Sequence, residues 1–78
     1  MNERLKNARM KAEKTQAQLA KDAGISEVAY QLYEYGKREP GVKTAIRIAD
    51  ALGVTDLREL FGDERKEQSE KQIASRTV

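Results

Sequence analysis

TQAQLAKDAGISEVAYQLYEYGK, residues 15–37, holds two short apolar-periodic runs separated by one glycine and one isoleucine. Thr15 is a good N-cap, and Gln18 three residues later completes the Ser/Thr-then-Glu/Gln spacing of a capping box. Leu19, Ala20 and Ala23 form the inward side of the helix that starts there. Gly24 stops it, because the residue just past a last turn usually takes the left-handed conformation, which costs glycine no β-carbon contact. Ser26 caps the next helix, with Ala29, Tyr30 and Tyr33 on one side and Glu27, Val28 and Gln31 elsewhere on the turn. Gly36 ends that helix.

Helices joined by so short a connection cannot lie antiparallel; they cross at roughly 90–120°, with a small residue such as Ala20 where they touch. Gly24 supplies the sharp turn, Ile25 tucks beneath it, and Tyr30 and Tyr33 anchor the second helix from its inner face. This is a helix-turn-helix, whose second helix has a free N-terminal end able to enter a groove roughly 12 Å wide. Function is therefore expected on the outward face of residues 26–32.

Outward from this stretch the periodicity continues. Residues 2 to about 12 place Leu5, Ala8, Arg9 and Ala12 at helical spacing, with Met10 nearby. Pro40-Gly41 punctuates the loop after the central pair. Residues 42–52 carry Val42, Ala45, Ile46, Ile48, Ala49 and Leu52 as the apolar set of a fourth helix, stopped by Gly53. Thr55 is the expected cap of a final short helix bearing Leu57, Leu60 and Phe61, closed by Gly62. The expected fold is all-α, a compact five-helix bundle with the helix-turn-helix at helices 2 and 3. Leu57, Leu60 and Phe61 suit either the core or a dimer interface.

The expected domain spans residues 1–62. The remainder, DERKEQSEKQIASRTV (63–78), alternates charge and offers only Ile73, Ala74 and Val78 as apolar residues. It reads as a frayed tail with too little apolar surface to offset ordering entropy, or as a helix that docks Ile73 on a partner. Glu67 and Lys71 are spaced for an i,i+4 ion pair.

Composition removes whole classes of chemistry. The 78 residues include no cysteine and no histidine, which removes thiolates, disulfides and imidazole as ligands or general bases. No paired carboxylates flank a recognisable cleft motif, so no catalytic residues, metal or cofactor are expected. With 38% hydrophobic and 36% charged residues, and no apolar run of about 18, the chain reads as a soluble cytoplasmic domain with no membrane partner. Residues 1–38 hold eight Lys/Arg against five Asp/Glu, so the small positive surplus of the chain lies in its first half, where it suits a polyanion.

TQAQLAKDAGIS, followed by YEYGKREP and AIRIADALGV, resembles the phage repressor and Cro type of helix-turn-helix domain, the Xre family, over residues 5–61. The resemblance implies a lambda-repressor-like fold and sequence-specific binding of double-stranded DNA. Gln16 matches the family's T-Q motif, where the glutamine and the helix N-terminus meet a phosphate, as free N–H groups there favour anions. Ser26, Glu27, Val28 and Gln31 match its base-facing positions: Gln31 for adenine, Glu27 for cytosine N4, Val28 for a thymine methyl. Tyr35, Lys37 and Arg38 fall where the family approaches the phosphate backbone. Arg9 and Glu34 match a pair that ties helix 1 to helix 3, and Tyr33 matches a core aromatic. Tyr30 departs from the β-branched aliphatic usual at its place. Glu13-Lys14 depart from a glycine and an apolar residue before the T-Q motif.

The expectation is a transcriptional repressor acting as a homodimer on a pseudo-palindromic operator. The alternative is an antitoxin-type interaction protein, whose tail binds a small protein partner while the domain represses its own promoter.

Overall fold

Asn2 opens the first helix, α1 (Glu3–Lys11), by accepting the Leu5 N–H on its side chain at 3.0 Å. In the computed structural model, which describes residues 1–62, four α-helices and one short π-helical turn follow one another without a strand among the described residues. After α1 come α2 (Gln16–Ala23), α3 (Glu27–Glu34), α4 (Val42–Leu52) and the terminal turn α5 (Arg58–Gly62). The tail 63–78, with Ile73 and the Glu67–Lys71 spacing, lies outside the described residues.

The capping box forms in full: Thr15 Oγ1 accepts the Gln18 N–H at 3.1 Å, and Gln18 Oε1 accepts the Thr15 N–H at 2.9 Å. Gly24 takes φ +73°, and the Ile25 N–H reaches back to the Ala20 carbonyl at 3.0 Å, closing the end of α2. Ser26 Oγ accepts the Ala29 N–H at 3.1 Å, so α3 begins two residues after α2 has been sealed.

α2 packs on both α3 and α4, while α1 packs on α3 and α5. Leu5, Leu19, Tyr30, Ile48 and Leu60 meet in one core, with Ala20, Ala23 and Ala49 letting the backbones approach. Each large aliphatic buried there contributes about 1.5–3 kcal/mol of transfer free energy. Leu57 and Phe61 are partly buried against the same cluster, so all three candidate interface residues of the last segment pack on the core. Asn2 also ties the first turn to two distant elements: its N–H donates to the Glu34 carbonyl and its Nδ2 to the Leu60 carbonyl, both at 2.8 Å.

Three expectations need correction. Val42 and Ile46 are 72% and 45% exposed, because the buried stripe of α4 is formed by Ala45, Ile48 and Ala49, with Leu52 partly buried, and the other two lie to one side of it. The cap of the last turn is Asp56, whose carboxylate accepts the Arg58 N–H at 3.0 Å, in place of Thr55. An aspartate outcompetes a residue one position too early, since a cap must reach the N–H two or three residues on. α1 is also one residue shorter at each end than the apolar spacing suggests, because Asn2 and Ala12 act as its caps.

Candidate nucleic-acid interface

α3 presents two faces of opposite character. Tyr30 and Glu34 are fully buried beneath it, whereas Glu27 and Val28 point away from the core, with Val28 65% exposed. Ser26, Glu27 and Val28 are exposed at the N-terminal end of α3, and Gln31, half-buried, follows one turn on from Glu27. Ser26 already uses its hydroxyl oxygen to accept the Ala29 N–H, leaving its O–H as a donor.

Beyond α3, Gly36 at φ +78° turns the chain, and the Lys37 N–H returns to the Leu32 carbonyl at 2.9 Å. This places Tyr35, Lys37 and Arg38 on the exposed rim after the helix. Gln16 stands on the other flank, at the first position of α2, where the N–H groups of the opening turn have no carbonyl to bond. Its side chain is not simply solvated. Gln16 Nε2 donates to Glu34 Oε1 at 3.3 Å, and Gln16 Oε1 accepts from Gln31 Nε2 at 3.3 Å.

Beneath this face lies an ion pair. Arg9 Nε donates to Glu34 Oε2 at 2.9 Å and Arg9 Nη2 to Glu34 Oε1 at 3.0 Å, a bidentate pairing of α1 with α3. Arg9 Nη1 also donates to the Lys14 carbonyl at 2.9 Å, which fixes the connection between α1 and α2. Burial pushes the Glu34 carboxyl up, but the Arg9 hydrogen bonds, the neighbouring Tyr30 hydroxyl, the Arg9 charge and the Gln16 donor together outweigh it and hold the pKa below the ordinary value. The same carboxylate raises the Arg9 pKa, so both remain charged.

The buried Tyr30 hydroxyl has no partner in hydrogen-bonding geometry. Burial first, and then the neighbouring Glu34 carboxylate, push its pKa strongly up. Tyr30 thus stays neutral and fills the space under α3, the place where an aliphatic side chain was the expected residue. Tyr33 is partly buried against the core, and Ala20 is buried at the crossing of the helix pair.

The links from Gln16 to Gln31 and from Gln16 to Glu34 were not legible in the sequence, since their partners stand fifteen and eighteen residues apart. The Glu27–Gln31 contact, Gln31 Nε2 to Glu27 Oε2 at 3.4 Å, had a signal in its i,i+4 spacing. Lys14 was missed too: its Nζ donates to Asp22 Oδ2 at 2.7 Å and to the Ala51 carbonyl at 2.8 Å, bridging α2 and α4.

Comparison with known proteins agrees with this geometry. The helix-turn-helix family profile matches residues 5–60. The transcriptional repressor RstR of the cryptic phage CTXphi, from Vibrio cholerae, is 44% identical over 62 residues, covering 80% of this chain and 54% of that protein. The HTH-type transcriptional regulator YqaE of Bacillus subtilis is 43% identical over 54 residues, 69% of this chain and 47% of its own length. The chain thus spans about half the length of the curated relatives it matches. Among solved structures, the P22 c2 repressor protein in complex with a synthetic operator superposes with a TM-score of 0.71 at 32% identity, over 80% of this chain and 94% of that one. An all-helical core built around the Thr15 capping box and the Gly24 turn, matched along most of its length, places the chain in the helix-turn-helix family of phage-repressor (Xre) type.

Proposed function

We propose that this chain is a sequence-specific double-stranded DNA-binding transcriptional regulator of the bacterial or phage-infected cytoplasm, acting as a repressor that binds a pseudo-palindromic operator as a homodimer. The observation that carries this reading is the outer face of α3, where Glu27 and Val28 stand clear of the core and half-buried Gln31 lies one turn on, between the N-terminus of α2 and the basic rim at Lys37 and Arg38. The fold neighbour solved on operator DNA supports it. In this reading Ser26, Glu27, Val28 and Gln31 meet base edges, and Gln16, Tyr35, Lys37 and Arg38 meet phosphates. One such helix reads few base pairs, so two copies on half-sites about 34 Å apart supply the specificity. Residues 1–62 form the binding unit, and the reading requires no cofactor and no catalysis.

Selection of random duplexes on the purified protein, followed by titration across a salt series, tests the proposal. A two-fold consensus with half-site centres near one helical turn is the expected result; weak, salt-sensitive binding without enrichment would overturn it. Gln31→Ala is expected to cost about 1–3 kcal/mol on the selected operator and to relax preference at one base pair. Lys37→Ala is expected to weaken all sequences alike and to reduce the slope of log K against log salt by roughly 0.9.

A further inference from the structure

Resting on that reading, we propose that the chain Arg9–Glu34–Gln16 fixes the amide of Gln31 with its nitrogen inward and its carbonyl oxygen outward, so that the Glu27–Gln31 edge of α3 reads an exocyclic base amino group. The usual expectation for a glutamine is different: it clasps adenine with one donor and one acceptor at once.

The orientation follows from counting donors and acceptors. Glu34 is held by two hydrogen bonds from Arg9, and an ionised carboxylate only accepts. The amide facing it must therefore present nitrogen, as Gln16 does through Nε2 at 3.3 Å. Gln16 is left with its carbonyl oxygen toward α3, and that oxygen takes an N–H from Gln31 Nε2 at 3.3 Å. The second N–H of the same nitrogen faces Glu27 Oε2 at 3.4 Å. Turning the Gln31 amide over would set its oxygen against two acceptors, the Gln16 carbonyl and the Glu27 carboxylate, with no donor to compensate.

Both donors of Gln31 are thereby engaged, and among the described residues no donor reaches its Oε1. What α3 offers at this edge is a carbonyl oxygen beside a carboxylate, two acceptors one helical turn apart. In the major groove the matching groups are the amino groups of cytosine N4 and adenine N6; guanine O6, thymine O4 and purine N7 are acceptors and are repelled. Gln16 is in this account a positioning residue: it acts on the base only through Gln31.

The test starts from the operator selected by the wild-type protein, on which the base pair read by Gln31 is the one whose preference Gln31→Ala relaxes. Within that pair the contact is expected to fall on the amino-bearing base, adenine or cytosine, whichever the pair contains. Replacing it by the analogue lacking the amino group is expected to weaken binding roughly tenfold, the scale of one lost hydrogen bond. If the base is adenine, its 7-deaza analogue is expected to bind within about twofold of the parent, since N7 has no partner. Gln16→Leu, checked for folding by urea denaturation, is expected to release the amide and relax preference at that pair alone, on top of a uniform loss from the missing phosphate contact. An amino deletion that changes binding by less than about twofold, a 7-deaza effect as large as the amino deletion, or an unchanged preference in Gln16→Leu would each overturn the inference. The analogue experiments use only the wild-type protein, so they decide the matter even if Gln16→Leu folds poorly. Failure of the wild-type protein to enrich any sequence would instead overturn the functional reading beneath it.

Discussion

The two connections on either side of α2 solve the same geometric problem with different residues. After α2, Gly24 takes φ +73° with no atom within 4 Å of where a β-carbon would stand. After α1, Glu13 takes φ +57°, a left-handed conformation that an L side chain adopts only at a cost. What holds Glu13 there is its surroundings. The Lys14 N–H bonds to the Arg9 carbonyl at 3.2 Å, the Lys14 carbonyl accepts from Arg9 Nη1, and Lys14 Nζ reaches across to α4. The turn into α3 is thus set by local preference, whereas the turn into α2 is imposed by tertiary bonds. The absence of glycine before the T-Q motif changes the cost of that connection and leaves its left-handed turn in place.

Arg9 serves the imposed turn and the ion pair together, so its removal is expected to have the largest effect. Arg9→Ala leaves Glu34, only 1% exposed, without its partner, and a loss of about 3–5 kcal/mol in urea denaturation is expected. The pH dependence should also change sign. In the wild-type protein Glu34 has a lowered folded pKa, so its stabilisation is complete above the ordinary value of 4.5 and is lost as pH falls through the folded value. In Arg9→Ala only burial remains as the main influence, the folded pKa rises, and the gap between the two proteins should narrow in acid. A gap that widens below pH 4.5 would show that Glu34 is not held ionised by Arg9.

The local turn is broken by Gly24→Val. The new side chain meets open space, so the expected loss of about 1–2 kcal/mol is backbone strain alone. The smallest effect has the opposite sign. Glu13→Gly relieves a left-handed strain of about 1–2 kcal/mol while adding about 0.5–1 kcal/mol of chain entropy to the unfolded state, for a net gain of about 0–1.5 kcal/mol. A clear loss of stability in Glu13→Gly would mean that the α1–α2 turn depends on the Glu13 side chain, and the contrast between the turns would fail.

How much could be read beforehand follows the same division. The capping box, the Ser26 cap and Gly24 were legible because each is decided by residues at most four apart. The outward placement of Glu27 and Val28 followed from helical periodicity. Val42 and Ile46 were misread because periodicity identifies an apolar face without saying how much of it a neighbour covers. The Arg9–Glu34 pair was anticipated through the family resemblance, since nothing in its spacing of 25 residues implies contact.

By itself the sequence determined the helices, the glycine stops after α2, α3 and α4, the sharp corner between α2 and α3, and the absence of cysteine and histidine chemistry, because these depend on side-chain type and on backbone preferences within a turn. Only the tertiary structure decided that Glu13 turns left-handed, that Lys14 bridges α2 and α4, and that Glu34, Gln16, Gln31 and Glu27 form one connected set. Those contacts join positions far apart in the chain, and a hydrogen bond has a direction only once both of its partners have been brought together.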